Sequence, residues 1–338
     1  MGYGSGGLLA LILGAAALAG VAEAILAAND RERFPHPGRL VDVGTHKLHL
    51  HCTGEELEGR PTVILEAGLQ LWSSSWYWVQ QGLEKAVQVC SYDRSGQGWS
   101  EAGPGAFDGE SIARELHLLL ETAGVEPPYV LVGHSLGGMT VRIFYQLFPD
   151  EVAGMVLPDP GLPTEYVEEE KREVTRCNWH CTAAALVARV GFFRLQNRAI
   201  MSNESYPATV VPEIRAHLGS PSAAYATIGY LKNVSPTCHQ TLRNDDLADV
   251  PVVVLHSTDF RIEEAETPEI RQRRIDRRNR ILAGFRELTE LSSRGRGPIP
   301  VEGSNHESII MYERHADQVT AAILDVLRGY CQVEAPNS

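Results

Sequence analysis

The sequence predicts an α/β protein in which a largely parallel sheet is flanked by helices and carries a helical cap. Between residues 61 and 159, apolar runs alternate with amphipathic segments, the pattern of strands joined by crossover helices. Residues 161–249 instead hold acidic, proline-interrupted, helix-like pieces without a clear apolar strand. The strand pattern resumes at residue 250. We therefore expect a sheet domain over 38–160 and 250–330, with the cap over 161–249.

The N-terminal 30 residues predict a transmembrane anchor or a signal segment. Leu8 to Ala28 is apolar apart from Glu23, and its 21 residues would span about 30 Å as a helix. No lysine or arginine precedes this segment, whereas Arg31 and Arg33 follow it. That charge asymmetry favours a cytoplasmic C-terminal side, although it is weak and export stays open.

Composition limits the classes of partner. The net charge is −13, so most of the surface would repel a nucleic-acid backbone, and we expect no nucleic-acid partner. The one basic run, residues 271–280, is interpreted as a solvated helix face. With 338 residues and 43% of them apolar, the chain can bury one large core.

The six cysteines are compatible with disulfides or with buried thiols. Cys52 ends one predicted strand and Cys90 lies in its expected neighbour, so these two are the pair that could bridge. Cys177 and Cys181, with His180 between them, lack a second cluster that would complete a zinc site. We therefore expect no metal site and no cofactor.

The first predicted elements lead to a loop that suits an oxyanion site. Residues 38–44 and 47–52 alternate as an antiparallel pair of strands, and 61–68 is a buried strand that ends in a glycine turn. An aromatic segment, 71–78, follows. Its tryptophans could line a pocket, but packing against the next helix is the more common role of such residues. The helix predicted over 111–124 would be capped by Ser111.

The segment from Tyr129 to Met139 reads as strand, sharp turn and helix, and it contains Gly-x-Ser-x-Gly around Ser135. This pattern predicts a nucleophile elbow. A Cβ at Gly133 or Gly137 would collide with neighbouring backbone, and Ser135 would be strained. A serine hydroxyl becomes a useful nucleophile only when a base takes its proton and a third group orients that base.

The histidine predicted as the base is His306. It follows the last predicted strand, where loops at the carboxyl ends of parallel strands converge on a ligand crevice. Three other histidines are expected elsewhere: His134 points away on the elbow, His256 lies within a strand, and His315 is solvated on the final helix.

For the orienting acid, Asp259 gives the chain order serine, acid, histidine that elbow enzymes show. Asp159 competes with it, since it ends the strand after the elbow. The nearby acids Glu263, Glu264 and Glu266 are interpreted as a solvated run.

Four motifs together resemble the α/β-hydrolase superfamily: the elbow 133–138, the segment 91–100, the segment 65–68 and the segment 303–306. The opening apolar segment and residues 38–44 are similar to its membrane-tethered microbial branch. The resemblance implies a mostly parallel eight-stranded sheet. The sequence departs from the family pattern in two places. The oxyanion loop has Ala67-Gly68 in place of the usual His-Gly, and Asp259 lies one residue earlier than in the common Gly-x-x-Asp spacing.

The resemblance implies a two-step acyl transfer by Ser135, His306 and Asp259, with the backbone N–H groups of Leu69 and Leu136 binding the oxyanion. Each such donor is worth about 3 kcal/mol in the transition state. The implied substrate is a small carboxylic ester, and the anchor and aromatic segment point to apolar or lipid esters. An amidase, an acyltransferase, a carbon–carbon bond hydrolase and a ligand-binding protein without turnover are the alternatives. Serine at the elbow argues against epoxide and haloalkane hydrolysis, which use a carboxylate.

Overall fold

The computed structural model describes residues 4–165, 187–192, 194, 206–207, 210–218, 220–259 and 267–334. Eight strands form one sheet in the order β1-β2-β4-β3-β5-β6-β7-β8. β1 pairs with β2 and β2 with β4 antiparallel, whereas all the other pairs are parallel. The predicted fold class is confirmed. The strands are β1 (Arg39–Asp42), β2 (Lys47–Thr53), β3 (Thr62–Glu66), β4 (Val89–Tyr92), β5 (Tyr129–Gly133), β6 (Val152–Pro158), β7 (Val252–Ser257) and β8 (Gly295–Val301).

The helices lie on both faces of the sheet, which explains why the central strands are continuous apolar runs. The described helices are α1 (Gly4–Arg33), α2 (Tyr77–Leu83), α3 (Gly109–Ala123), α4 (Leu136–Leu147), α5 (Val211–Leu218), α6 (Pro221–Lys232), α7 (Val234–Thr241), α8 (Pro268–Glu290), α9 (Ser308–Met311) and α10 (Glu313–Glu334). Helices α3, α4 and α8 cover one face, and α2 and α10 cover the other. The core therefore consists of two apolar layers separated by the sheet.

Local sequence explains where helix α3 begins and ends. Helix α3 begins after Asp108, whose Oδ1 accepts a hydrogen bond from the Ser111 N–H at 3.0 Å. The predicted cap, Ser111, was therefore wrong, because an aspartate three residues earlier already meets that donor. The helix ends at Gly124, which has a φ of 67° as a left-handed C-cap requires.

The segment between β6 and β7 is helical where it is described, as α5, α6 and α7 show. Cys177, His180 and Cys181 lie outside the described residues. The N-terminal segment forms α1, in which Leu13–Arg33 has the length and a mean hydropathy of 1.3 that suit a membrane span or a signal sequence.

Cys52 and Cys90 are bonded in a disulfide that joins β2 to β4. The two residues stand directly opposite each other in the antiparallel register, with their Cα atoms 4.0 Å apart. The predicted pairing is confirmed.

Candidate active site

Ser135 lies on the sharp turn between β5 and α4, with a φ of 53° and a ψ of −121°. A Cβ on Gly133 would stand 2.6 Å from the Gly137 carbonyl oxygen, and one on Gly137 would stand 2.4 Å from that of Glu66. Both contacts are too short for any side chain. The predicted elbow geometry is confirmed, and the turn aims the Ser135 hydroxyl at the carboxyl edge of the sheet.

His306 lies in the loop between β8 and α9, where the sequence predicts the base. Its Nε2 is 2.9 Å from Ser135 Oγ. Asn305 braces the loop: its N–H donates to Ser308 Oγ at 2.8 Å, and its Oδ1 accepts from the Ser308 N–H at 2.8 Å. The loop thus holds the imidazole edge towards the serine.

The carboxylate that meets His306 belongs to Asp159, so the prediction of Asp259 was wrong. Asp159 Oδ2 is 2.6 Å from His306 Nδ1. The same carboxylate accepts from the backbone N–H and the hydroxyl of Ser257, both at 3.1 Å. Ser257 at the end of the neighbouring strand β7 therefore holds Asp159 as well as the histidine does.

The sheet order explains this choice. Strand β6 pairs directly with elbow strand β5, and an additional bridge joins Ser135 to Pro160. Asp159, with a φ of 46°, therefore turns back towards the serine just beyond the end of β6. Asp259 follows β7, one strand further away, where its backbone N–H donates to the Ser304 carbonyl at 2.7 Å and its side chain is exposed.

The electrostatics of the pair suit a base that becomes charged during a reaction. Burial lowers the pKa of His306, but the hydrogen bond and the charge of Asp159 outweigh it and raise this pKa above 6.5. Burial raises the pKa of Asp159, but the hydrogen bond and the charge of His306 lower it below 3.8. Asp159 is therefore ionised at neutral pH and favours an imidazolium at His306.

The orientation predicted for His134 was wrong. It was expected to point away, yet its Nε2 donates to the backbone carbonyl of His306 at 2.7 Å. Burial, followed by the positive charge of His306, lowers the pKa of His134 to about 3, so the ring is neutral and can serve as this donor. The sequence feature that could have pointed to His134 is its position beside Ser135, but sequence does not reveal which way the ring turns.

Gly68 and Leu69 line the cavity next to Ser135, where the first oxyanion donor is expected. A Cβ on Gly68 would stand 2.8 Å from His134 Nδ1, so only glycine allows this approach. Leu136 begins α4 directly after the serine, at the positive end of the helix dipole. The roles of the Leu69 and Leu136 N–H groups stay a prediction.

Behind the oxyanion loop lies a buried ion pair between Arg94 and Glu66. The Arg94 Nε donates to Glu66 Oε1 at 2.6 Å, and the same guanidinium donates to the carbonyl oxygens of Ala67 and Gly68. Tyr92 donates its hydroxyl to the other Glu66 oxygen. Arg94 thus holds the backbone that leads to Leu69.

A cavity of about 470 Å³ opens over Ser135 and His306. Much of its described wall is apolar. The apolar part of the wall is formed by Leu69, Leu71, Trp72, Tyr206, Ile214, Leu218 and Met311. Of the three tryptophans in the aromatic segment, Trp72 reaches this wall whereas Trp76 is buried in the core. The cavity suits an apolar substituent next to a reacting carbonyl.

Of the two remaining histidines, one lies where the sequence predicts and the other does not. His256 lies in β7 as expected. His315 was predicted to be solvated, which was wrong: it is 2% exposed, and its Nδ1 lies 3.1 Å from the Ser308 carbonyl oxygen. Within the described residues, no group of three or more histidine, cysteine or acidic side chains is placed to hold a metal.

Comparison with known proteins finds a family match over part of this chain. The family model for the alpha/beta hydrolase fold matches residues 61–189. The Bacillus subtilis protein YbdG is 26% identical over 171 residues, which cover 49% of this chain and 50% of that protein. The chain spans about a fifth to a half of the length of the first curated relatives that it matches, from 19% to 50%.

Solved structures share the architecture. A thermophilic esterase from Thermogutta terrifontis superposes with a TM-score of 0.58 at 19% identity, covering 87% of this chain and 99% of the esterase. An epoxide hydrolase from Vigna radiata superposes with a TM-score of 0.66 at 15% identity, covering 86% of this chain and 97% of that enzyme. At these identities the likeness establishes the fold, and the chemistry must be argued from the site.

Proposed function

We propose that this chain, which matches the family model for the alpha/beta hydrolase fold over residues 61–189, is a serine hydrolase that cleaves carboxylic esters through an acyl-enzyme on Ser135. The observation that carries the proposal is the continuous arrangement of Ser135 Oγ, the His306 imidazole and the Asp159 carboxylate at the floor of a largely apolar cavity. A carboxylate nucleophile, which epoxide hydrolysis requires in this superfamily, is absent from position 135.

In the first step His306 Nε2 accepts the Ser135 proton while Oγ bonds to the ester carbonyl carbon. The resulting oxyanion is stabilised by the N–H groups of Leu69 and Leu136, with Arg94 holding the loop that carries the first of them. When the intermediate collapses, the ester C–O bond breaks and the alcohol leaves with the proton from His306. A water molecule then repeats the sequence on the acyl-enzyme and releases the carboxylic acid.

Asp159 sets the tautomer of the base. Because its carboxylate accepts a hydrogen bond from Nδ1–H, Nε2 is left unprotonated and faces the serine. His134 holds the backbone of the same histidine. Asp159 and His134 therefore act on His306 from two sides, the first through its ring and the second through its backbone.

The substrate proposed is an apolar carboxylic ester, including esters of membrane lipids. The apolar cavity wall and the apolar helix α1 support this choice. We also propose that α1 attaches the protein to a membrane.

Labelling with a fluorophosphonate probe tests the activated serine. We expect wild-type protein and Asp259→Asn to label at similar rates, Asp159→Asn to label slowly, and Ser135→Ala not to label. A folded wild-type protein that fails to label would contradict the proposal and favour a ligand-binding protein.

A panel of esters, amides and thioesters, with products identified by mass spectrometry, then tests the reaction class. Release of a carboxylic acid from esters in preference to matched amides supports ester hydrolysis. Preferred amide cleavage, acyl transfer to a second alcohol or carbon–carbon cleavage would replace it.

A further inference from the structure

The N-terminal helix α1 packs against the cap along one face. Gly20, Glu23, Ala27 and Asp30 are partly or fully buried, and they recur at the three- and four-residue spacing of a single helix stripe. By contrast, every described side chain before residue 19 is exposed. The inner half of α1 is therefore part of the folded domain, whereas the outer half extends away from it.

Arg194 of the cap holds this face. Its Nε lies 2.8 Å from Glu23 Oε2 and its Nη2 lies 2.8 Å from Glu23 Oε1, while its Nη1 donates to Asp30. Glu23 is only 2% exposed. Gly191 closes the site from the other side, since a Cβ there would stand 2.8 Å from a Glu23 oxygen. We call Glu23, Asp30 and Arg194 the helix seat.

The seat limits how far α1 can enter a bilayer on its own. The segment clear of the cap, residues 4–18, is about 22 Å long at 1.5 Å per residue, which is short of the roughly 30 Å hydrocarbon core. On the docked half, Val21, Ile25 and Leu26 still present an apolar back face, 47–59% exposed. A membrane that receives α1 would thus be brought up against the cap.

Helix α5 stands between the seat and the active-site cavity. Ile214 and Leu218 line the cavity over Ser135. Pro212, Arg215 and Ala216 line a separate cavity of about 400 Å³ that also includes Asp30 and Arg194. Glu213 is fixed by the Ser74 hydroxyl at 2.7 Å, so α5 contacts the loop beyond the oxyanion site as well. Helix α5 therefore lines both the cavity beside the seat and the cavity over Ser135.

We propose that the helix seat is a specificity determinant: by holding α1 against α5, Arg194 fixes the cavity wall that receives long acyl chains from a membrane surface. The inference rests on the proposed ester hydrolysis and names the substrate class, esters with long acyl chains. Short esters, which need only the carbonyl site at Ser135, do not depend on the seat.

The test compares Arg194→Met and Glu23→Gln with wild type, using the full chain in detergent micelles. Arg189→Met is the control, since it removes an exposed arginine from the same part of the cap. For p-nitrophenyl palmitate we expect both seat variants to lose on the order of tenfold in kcat/KM, mainly through KM. For p-nitrophenyl acetate we expect less than about a twofold change. Equal losses on both esters, or no loss on either, would overturn the proposal.

Hydrogen–deuterium exchange of the peptide that contains residues 211–218 gives a readout that needs no turnover. Arg194→Met should exchange faster there than wild type, with no change in β5 or β6. Unchanged exchange in α5 would overturn the coupling even if activity fell. If wild type cleaves neither ester but exchange in α5 does respond, ester hydrolysis is refuted while the mechanical link is supported.

Discussion

Two histidine–aspartate pairs in this molecule share the same contact but differ in what the second imidazole nitrogen meets. His306 Nδ1 meets Asp159 at 2.6 Å, and His49 Nδ1 meets Asp93 at 2.9 Å. The other nitrogen of His306 faces the Ser135 hydroxyl, whereas that of His49 donates to the Pro37 carbonyl. His49 and Asp93 are both fully buried, but the His306 side chain is 47% exposed at the cavity.

The difference shows that a carboxylate on an imidazole does not by itself make a base. The Asp93 carboxylate also accepts hydrogen bonds from the backbone N–H groups of Ser73 and Trp99, both at 2.8 Å. These bonds connect the loops around β4. His49 has no nitrogen left to receive a proton from a substrate. Of these two pairs, the one formed by His306 and Asp159 has an acceptor nitrogen, a hydroxyl and a cavity in one place.

The largest effect is expected when the acid of the proposed triad is neutralised. Asp159→Asn should lower kcat on a short ester about 10⁴-fold, because the amide favours the wrong imidazole tautomer. Asp259→Asn, the matched control, should stay within about twofold. Steady-state kinetics on the purified variants measures both. A larger loss in Asp259→Asn than in Asp159→Asn would refute the assignment.

Asp93→Asn should instead act on stability. Removing one member of a buried ion pair costs about 3–5 kcal/mol, and here two backbone donors lose their acceptor charge as well. Urea unfolding at pH 7 should show this loss. The fraction that remains folded should keep a near wild-type kcat, and a selective loss of kcat without destabilisation would mean that this pair takes part in the reaction.

His134→Phe should lower kcat about 10- to 100-fold with little change in KM, because the His306 carbonyl loses its donor and the base is misplaced. His134→Gln keeps an N–H donor and should recover part of the loss. Equal activity in the two variants would show that the hydrogen bond from position 134 has no positioning role.

The smallest effect is on pH dependence. Burial lowers the pKa of His306, but Asp159 raises it above 6.5, and only the neutral imidazole accepts a proton. Wild-type kcat/KM should therefore fall as pH drops through this raised pKa. In Asp159→Asn the midpoint of the residual activity should move to lower pH. An unmoved midpoint would mean that Asp159 does not set the pKa of the base.

The raised pKa of His49 makes the stability of the folded protein depend on pH. Burial lowers its pKa but Asp93 raises it overall, so the stabilisation from this pair is fully present below pH 6.5 and is lost as pH rises through the folded-state pKa. The difference in unfolding free energy between wild type and His49→Gln should therefore shrink between pH 6 and pH 9. A difference that grows with pH would contradict the charged pair.

Much of the sheet and part of the site could be predicted because they depend on local pattern. Strand runs such as Val130–Val132, the glycines around Ser135 and the histidine after the last strand each have a nearby signal. Even the Cys52–Cys90 disulfide followed from two adjacent strands. The prediction was wrong where a side chain's partner is far away in sequence, as for His134, whose acceptor is the carbonyl of residue 306.

Local patterns were enough to predict the α/β architecture, the turn around Ser135, the position of His306 after the last strand and the apolar N-terminal helix, because glycine sterics and hydrophobic period act over a few residues. The tertiary structure alone decided that Asp159 rather than Asp259 is the partner of His306. Both aspartates follow parallel strands, and what separates them is which strand lies beside β5 and how its end turns. Strand order is set by packing across the whole sheet, and no short motif encodes it.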